Sequence, residues 1–339
     1  MSAADLSLPA EVGDRGSGRQ SRRSSAWKFI GQRVAISLVV LLAVSIVVFV
    51  ATQALPSDPA QAILGRDATP ERVAALREEL NLNGSLVSQY VNWLSGVFQG
   101  DLGMSLARRQ PVSDVLWGRF ANSLILLGVV SLIAIPLSIA LGAWAAIRRD
   151  GIVDKAGVGA ALFLSAVPEF VIGILLTLMF ATGVFRLVPA TAILQEGQSP
   201  LMNPIILILP VATLTLAVVP YLYRLSRASM IDALDSDYVQ MARLKGMPDS
   251  LIVRRHALPN AVVPVVQATA IVMSYLLSGV LVIEFLFRYP GLGTMLSDAI
   301  ATRDLPVIQG VILVYAAAIV LLNLLADIVT VAVSPRLHS

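Results

Sequence analysis

The sequence predicts an all-α integral membrane protein with six transmembrane helices. Of its 339 residues, 56% are hydrophobic and only 14% are charged, whereas a soluble domain carries roughly 25% charged residues. The mean hydropathy is correspondingly high, at +0.78. An α-helix needs about 20 apolar residues to cross a bilayer. Six stretches of about that length or more lie at 34–54, 121–147, 157–185, 203–223, 261–283 and 307–333.

Two of the six stretches allow an alternative interpretation. The first could be a cleaved secretory signal, but its apolar run exceeds the roughly 7–15 residues usual for one, and a long charged tail precedes it. The third is interrupted by Pro168 and Glu169, so a kinked or re-entrant segment there would change the number of crossings.

Arginine and lysine residues predict the orientation, because cytoplasmic loops carry an excess of them. The tail before the first span holds six basic residues against three acids, whereas the segment 57–118 holds five against seven. The loops after the second and fourth spans are also basic, and they contain Arg148, Arg149, Lys155, Arg224, Arg227, Arg243, Lys245, Arg254 and Arg255. Both termini are therefore predicted to be cytoplasmic.

This orientation divides the chain into four regions. Residues 1–28 form a disordered, basic cytoplasmic tail, and residues 29–54 form the first transmembrane helix. Residues 55–118 form an extracytoplasmic helical loop. Residues 119–339 form a core of five transmembrane helices, with a cytoplasmic loop at 225–260.

The extracytoplasmic loop has the pattern of two helices. Thr69-Pro70-Glu71 is a strong helix start, and Asn83-Gly84 is a stop. A second helix over about 86–98 carries Tyr90 and Trp93 on one stripe before Asp101. The pair could lie on the membrane surface with its aromatic side chains in the interface. It could also form a docking surface for an extracytoplasmic partner through Tyr90, Trp93 and Asp101.

The cytoplasmic loop has the pattern of three short helices, the first over about 227–234. Ser236-Asp237 caps the second, which Gly246 closes in a left-handed conformation. Pro248 starts the third, and Pro259 ends it. These helices predict a compact cytoplasmic projection. A charge-rich loop beside a membrane could also simply contact lipid head groups, but the glycine-closed helix pair favours the projection.

The composition excludes several kinds of chemistry. The chain has no cysteine and two histidines, too few for a cysteine or histidine metal cluster. A nucleotide-binding P-loop ends in Gly-Lys-Ser or Gly-Lys-Thr, and none of the three lysines follows a glycine. The signatures His-Glu-x-x-His and Gly-x-Ser-x-Gly do not occur either. We expect no catalytic residue, no metal and no cofactor on this chain.

The cytoplasmic loop resembles the EAA loop of ABC-importer permeases. That loop runs Glu-Ala-Ala, three residues, Gly, nine residues, Ile, one residue, Leu-Pro, and the same spacing occurs here between Gln240 and Pro259. The matching residues are Ala242, Gly246, Leu258 and Pro259, and the differing ones are Gln240, Met241 and His256.

Motifs along the rest of the chain are similar to the B-type permease of dipeptide and oligopeptide importers, and they cover nearly all of the sequence after Phe29. They are Leu55-Pro56-Ser57-Asp58-Pro59-Ala60, Gln89-Tyr90-Val91-Asn92-Trp93-Leu94, Gly100-Asp101-Leu102-Gly103-Met104-Ser105, Val167-Pro168-Glu169-Phe170, Phe287-Arg288-Tyr289-Pro290-Gly291-Leu292-Gly293, Asn323, Asp327 and Pro335-Arg336. Ser57 and Asn81 stand where that subfamily has glycine, which concerns local turns rather than the family.

The resemblance implies a type I ABC-importer permease fold in a bacterial inner membrane, surrounded by lipid. The implied partners are a homologous C-type permease, two ATP-binding subunits or domains that carry ATP and Mg²⁺, and an extracytoplasmic solute-binding protein, with no nucleic acid. The implied ATPase-coupling residues are Asp237, Tyr238, Gln240, Met241, Ala242, Lys245, Gly246, His256, Leu258 and Pro259.

The resemblance implies di- or oligopeptides as cargo. An ABC importer of nickel chelates or of another solute remains an alternative. A secondary, ion-coupled transporter is another, and it would predict inverted repeats; the two halves of this sequence show no convincing repeat.

Polar residues inside spans are costly and usually face a cavity or the bundle interior. The candidates for a translocation path are Pro168, Glu169, Asn323 and Asp327. The last two are four residues apart and share a helix face. Glu284 and Asp327 could instead lie near span ends and pair with Arg288 or with head-group charge, and this second interpretation is favoured for both.

Overall fold

A computed structural model describes residues 17–53, 64, 68–79, 84–194 and 197–333. All regular elements in these residues are helical, and no β-strand occurs among them. The predicted motif at 55–60, Asn81 and the Pro335-Arg336 pair lie outside the described residues.

The described chain forms long membrane helices joined by short ones. In chain order these are α1 (Ser17–Gln53), α2 (Pro70–Glu79), α3 (Leu86–Phe98), α4 (Val112–Ile147), α5 (Ile152–Ala166), α6 (Glu169–Thr177), α7 (Ile208–Leu234), α8 (Asp237–Leu244), α9 (Asp249–Ile252), α10 (Leu258–Phe287), α11 (Leu292–Thr302) and α12 (Leu305–Val333). Two π turns, Leu178–Thr182 and Val253–Ala257, continue α6 and join α9 to α10. Two 3-10 turns, Pro200–Met202 and Pro204–Leu207, lead into α7.

Four helical segments are long and apolar enough to cross a membrane: Ile30–Gln53, Val112–Ile147, Pro204–Leu234 and Leu305–Ile328. Two further pairs of helices pass the same test together, but each is bent at a short break. By length and composition, the described residues therefore contain four candidate spans, or up to six if each bent pair is one span. The all-helical membrane fold is confirmed, and the count of six stays a prediction.

The first helix extends beyond its predicted start. We expected a disordered tail up to residue 28, but α1 begins at Ser17, and residues 1–16 lie outside the described part. Nucleation is the costly step in helix formation, and each further residue adds a hydrogen bond. The apolar span supplies the nucleus, and the arginines before it are good helix formers, so the helix continues upstream.

The 55–118 segment contains the two expected helices, α2 and α3. The hydroxyl of Ser85 caps α3 by accepting from the Ser88 N–H at 3.2 Å. The following helix, α4, begins at Val112 rather than at 121. It begins early because Val112 and Leu116 are almost fully buried, at 1% and 0% exposure, and pack into the core.

The third span is bent where the sequence predicts an interruption. The axes of Ile152–Ala166 and Glu169–Thr182 differ by 101°. Pro168 occupies the N-cap of α6 with extended backbone angles (φ −58°, ψ 141°). Because proline disfavours a helical conformation in the residue before it, α5 ends at Ala166 and the chain changes direction.

The core lies where α4, α7 and α10 pack together, with α11 and α12 against them. Its largest fully buried side chains come from these elements and from the turn after α10: Leu116, Leu126, Leu214, Leu222, Leu276, Leu277, Ile283, Phe287, Tyr289 and Leu292. Helices in lipid associate through such close packing rather than through a hydrophobic driving force. Helix α1 stays outside this core.

Helix α1 packs on α12, so the first and last helices of the described chain meet. The Gln309 amide donates to the Thr52 hydroxyl at 2.6 Å, and Arg33 Nε lies 3.3 Å from Asp327 Oδ2. The rest of α1 exposes large apolar side chains, including Leu38 and Val39. That surface suits lipid or another membrane helix.

Helix α4 runs the full length of the bundle, and a group of loops lies at each of its ends. We call them the α8 end, with residues 148–151 and 235–257, and the α11 end, with residues 99–111 and 288–304. An ion pair between Arg149 and Asp235 (2.8 Å) joins the loops of the α8 end. A contact between Ser105 and Asp304 joins those of the α11 end.

Candidate functional site

The main candidate site is the projection formed by α8 at the α8 end. Ser236 occupies the N-cap position of this helix with an extended backbone (φ −73°, ψ 150°), but its hydroxyl donates to the Ala233 carbonyl instead of accepting from the helix. Asp237 lies in the first turn, near the positive end of the helix dipole. The predicted separate helix at 227–234 is wrong, since these residues are the last turns of α7. No proline or glycine occurs between residues 221 and 234, so nothing ends α7 earlier.

Gly246 closes α8 in the predicted left-handed conformation, with φ +76°. Its N–H donates to the Arg243 carbonyl at 2.9 Å, and the Met247 N–H donates to the Ala242 carbonyl at 3.2 Å. This pair of bonds is the Schellman motif, which satisfies the last carbonyls of a helix. Met247 also packs against the small apolar cluster that holds Val239 and Ala242. The turn is therefore defined by both hydrogen bonds and packing.

Pro259 does not end a helix, contrary to the prediction. Helix α9 continues through the π turn Val253–Ala257 into α10, and Pro259 lies in the first turn of α10. In a regular α-helix the ring of Pro259 would clash with the carbonyl of Arg255. The π turn changes the spacing there, since the Leu258 N–H donates to the Val253 carbonyl. The helix can therefore pass through the proline.

One face of α8 is exposed and partly apolar. Tyr238 is 43% exposed, Met241 is 55% exposed and Leu244 is 81% exposed. These positions are three apart and lie on one side of the helix, opposite the buried Val239 and Ala242. Leu244 was missed from the sequence, although its spacing from Met241 is a signal that could have found it.

The other predicted coupling residues are distributed around this face. Asp237, Gln240, Lys245, Gly246 and Pro259 are exposed, and His256 and Leu258 are half-buried. The Gln240 amide donates to the Asp235 carbonyl at 3.2 Å, which ties α8 to the end of α7. The structure thus brings most of the predicted residues to one projection and leaves Ala242 inside it.

A buried ion pair fixes the helix that carries the projection. Asp154, at the start of α5, is 2% exposed and pairs with Arg227 of α7, whose Nη2 lies 2.6 Å from Asp154 Oδ2. Arg227 Nε contacts the other carboxylate oxygen. The Asp150 N–H also donates to Asp154 Oδ2, at 3.0 Å. A buried charge must be paired in this way, so this pair locks the α4–α5 turn to α7.

Close packing reinforces that lock. Gly142 of α4 lies against α7 so tightly that a Cβ there would come within 2.8 Å of the Arg227 backbone N. Only glycine allows the two backbones to approach so closely. Helices α4, α5 and α7 therefore act as one rigid support for α8.

Two of the path candidates line a cleft between α1, α7, α10 and α12. The cleft has a volume of about 690 Å³, and Asn323 and Asp327 both lie on its wall. Asn323 accepts from the Ser274 hydroxyl at 2.8 Å. Asp327 pairs with Arg33 rather than with Arg288, which was one of two expected partners beside head-group charge, because α1 brings Arg33 within 3.3 Å of it.

The other two candidates, Pro168 and Glu169, lie at the bend between α5 and α6 and do not line this cleft. Glu169 is half-buried, and its carboxylate faces Gly279 of α10, where a Cβ would come within 2.6 Å of Oε2. The structure therefore does not bring the four predicted path residues into one cavity. Among the residues that it describes, no three histidine or acidic side chains come together as a possible metal site.

The surroundings of Glu284 differ from those that the sequence predicted. It is fully buried, and its Oε2 accepts from the Gly293 N–H at 2.6 Å in the first turn of α11. The neighbouring Leu292 N–H donates to the Ser123 hydroxyl of α4 at 2.9 Å. The expected partner, Arg288, pairs with Asp298 instead, at 3.3 Å. Glu284 therefore holds the start of α11 against α10.

Replacing Glu284 with leucine should destabilise the protein. Leucine fills a similar volume but leaves the Gly293 N–H buried without an acceptor, which costs about 1–3 kcal/mol. Glu284→Gln keeps an acceptor oxygen and serves as the control, with a smaller effect expected. Thermal unfolding of the purified protein measures both, and a leucine variant as stable as the wild type would contradict this role.

The docking candidates Tyr90 and Trp93 are half-buried and pack against α1. Their rings pack with Phe49 of α1, at centroid distances of 5.4 and 5.8 Å, and the Tyr90 hydroxyl lies 2.8 Å from the hydroxyl of Ser45. Asp101 is exposed, but one of its oxygens accepts from the Gly103 N–H at 2.8 Å. The two aromatic residues therefore attach α3 to α1.

Comparison with known proteins covers almost the whole chain. The family model described as "Binding-protein-dependent transport system inner membrane component" matches residues 138–339. The model described as "Binding-prot-dependent transport system membrane comp, N-term" matches residues 26–127.

Individual relatives match over nearly their full length. A putative peptide transport system permease protein of Brucella suis biovar 1 is 38% identical over 91% of this chain and 98% of its own. A probable peptide ABC transporter permease protein of Sinorhizobium fredii is 34% identical over 91% of this chain and 99% of its own. The glutathione transport system permease protein of Salmonella typhimurium is 34% identical over 88% of this chain and 94% of its own.

Proposed function

The chain belongs to the family of binding-protein-dependent transport system inner membrane components, and from this premise we propose that it is the permease subunit of an ATP-driven importer of di- or oligopeptides. Members of this family are membrane transport permeases, not enzymes. We also propose its cargo, its coupling to a separate ATPase, its partner subunits and its orientation in the membrane.

The coupling proposal rests on one observation: α8 exposes a partly apolar face, and the helices beneath α8 hold it in a fixed position. Tyr238, Met241 and Leu244 project from the α8 end. The Schellman turn at Gly246 and the buried pair of Asp154 with Arg227 hold that helix on α7 and α5. A protein partner that pushes on this face would move α7, and through α9 it would move α10.

The ATPase is proposed to be a separate polypeptide, because no Gly-Lys-Ser or Gly-Lys-Thr occurs in the sequence. It would bind the ATP and the Mg²⁺. Basic residues of the α8 end, such as Arg149, Arg254 and Arg255, support a cytoplasmic location for this end. Both termini would then also be cytoplasmic, and α11 would face the outside.

The remaining partners follow from the family. We propose a homologous C-type permease as the second half of the pathway, a pair of ATP-binding subunits or domains, and an extracytoplasmic solute-binding protein. Relatives named for peptide and glutathione transport support a peptide cargo. The cleft with Asn323 and Asp327 is the proposed contribution of this chain to the path, since it offers polar groups inside an apolar bundle.

Reconstituted transport tests this proposal. The complete complex in liposomes should take up labelled di- and tripeptides when its binding protein and ATP are supplied. Uptake should stop when the P-loop lysine of the ATPase subunit is replaced, and it should survive an ionophore. Uptake that persists without ATP hydrolysis but stops with the ionophore would instead identify an ion-coupled transporter. ATP-driven uptake of nickel chelates but not of peptides would identify nickel chelates as the cargo.

A further inference from the structure

The α11 end carries three exposed arginines that the fold brings together. Arg108 and Arg109 lie in the turn before α4, and Arg303 ends α11. The structure joins these distant segments through Asp304. Its carboxylate is 2% exposed and accepts from the Leu106 and Ala107 N–H groups, both at 3.1 Å, and from the Ser105 hydroxyl. We call Arg108, Arg109 and Arg303 the arginine patch.

The arginine patch has no internal counter-charge at its surface. None of its three guanidinium groups makes an ion pair or a hydrogen bond with any residue that the structure describes. The exposed acids nearby have other partners: Asp298 pairs with Arg288, Asp101 accepts from the Gly103 N–H, and Asp114, in the first turn of α4, accepts from the Ser113 hydroxyl at 3.2 Å. The buried carboxylate of Asp304 balances one of the three positive charges, so the patch keeps a net positive charge.

Local folding does not explain why arginine occupies these positions. Arg109 and Arg303 have left-handed backbones, with φ values of 55° and 57°. Glycine or asparagine would adopt this conformation at lower cost. Arg186 and Arg288 are left-handed as well, but their guanidinium groups are engaged by the Thr182 carbonyl and by Asp298. What distinguishes the patch is therefore its exposed guanidinium groups without a partner among the described residues.

The backbone that carries Arg108 and Arg109 is fixed, because the turn at 105–109 is closed by internal hydrogen bonds. The Arg109 N–H donates to the Ser105 carbonyl at 2.9 Å, and the Arg108 N–H donates to the Ser105 hydroxyl at 3.0 Å. A fixed backbone loses no further freedom on binding, and positive charge presented from it gives specificity and fast association with a complementary protein surface. Lipid head groups, which rearrange freely, do not need such a fixed arrangement.

We propose that the arginine patch docks an acidic surface of the extracytoplasmic solute-binding protein. This inference rests on the proposed importer function and deepens it. It also moves the docking surface away from Tyr90 and Trp93, whose rings pack against α1. The Gly100–Ser105 motif then acts by building the turn on which two of the arginines stand.

A charge-reversal experiment tests the patch. The complex is placed in nanodiscs of neutral phosphatidylcholine, and the affinity of the purified binding protein of the same transport system is measured at about 50 and 300 mM salt. Wild-type affinity should fall as salt rises. The triple variant Arg108→Glu, Arg109→Glu, Arg303→Glu should bind at least about tenfold more weakly at low salt, with unchanged basal ATPase activity.

Arg186 provides the matched control. It is exposed, its φ is 49°, and the N–H of Ala192, six residues on, donates to the Phe287 carbonyl at the α11 end. Arg186→Glu should bind the binding protein as the wild type does. The milder triple change to glutamine should give an intermediate affinity and a weaker salt dependence. This variant distinguishes a loss of charge from misfolding of the glutamate variant.

Several results would overturn the inference. They are a triple variant that binds within about twofold of the wild type at low salt, wild-type affinity that does not depend on salt, and an effect that appears only with anionic lipids, which would assign the patch to head groups. If the wild-type complex neither binds the binding protein nor transports peptides, the proposed function itself fails, so the two failures are distinguishable.

Discussion

Replacing Gly246 with proline should abolish ATP-driven uptake while leaving insertion into the membrane intact. Proline fixes φ near −65°, whereas Gly246 has φ +76° and donates its N–H to Arg243. The Schellman turn cannot form with proline, so α8 loses its fixed orientation. The spans do not depend on this turn. Uptake into liposomes and the yield of purified complex measure the two effects separately.

Milder substitutions separate backbone strain from contact with the partner. A Cβ at residue 246 would meet no atom of the described residues within 4 Å, so a side chain there clashes only with another subunit. Gly246→Asn tolerates the left-handed backbone and should still reduce uptake if the ATPase covers this site. Gly197→Ala is the matched control, because its φ of +82° and its empty surroundings are similar but it lies outside the projection. Normal ATP-driven uptake by Gly246→Pro would refute the coupling role of α8.

Replacing Arg227 with alanine should be the most destabilising change at the α8 end. It leaves the Asp154 carboxylate buried without its partner, and breaking a buried ion pair in this way costs about 3–5 kcal/mol. Arg227→Lys keeps the charge but loses the two-point contact, so an intermediate effect is expected. Thermal unfolding of the purified complex measures stability, and the number of peptides moved per ATP hydrolysed measures coupling.

An exposed pair in the same region supplies the comparison. The side chains of Arg149 and Asp235 are 50% and 62% exposed, and exposed pairs contribute about 0–1 kcal/mol. Arg149→Ala should therefore leave stability nearly unchanged. The double variant Asp154→Leu, Arg227→Leu should recover part of the loss, because it removes both buried charges. An Arg227→Ala variant as stable as Arg149→Ala would show that the buried pair contributes little.

Local sequence signals predict local structure well in this protein. The left-handed Gly246 and the bend at Pro168 follow from the backbone preferences of glycine and proline, which act within a few residues. The wrong helix end at Pro259 has a physical reason as well. A π turn accommodates the ring there, and no short-range rule distinguishes that outcome from a stop.

Long-range features could not be predicted. Asp154 and Arg227 are 73 residues apart, and no pattern in the sequence links them. The stripe with Tyr90 and Trp93 correctly indicates an amphipathic helix, but such a pattern does not identify the surface that receives it. The structure identifies Phe49 of α1 as that surface. A side chain can be assigned to an outside partner only when it is known that the side chain does not already pack within the chain itself.

The packing of α1 on α12 has a consequence for biogenesis. A ribosome delivers α1 to the membrane before α12, so residues 54–304 are synthesised before the two helices can meet. The Gln309 amide is a polar group that is costly to expose to hydrocarbon, and the Thr52 hydroxyl that accepts from it is already in place when it arrives. Helix α1 therefore offers a prepared binding site for α12, and their packing forms only after α12 has been synthesised.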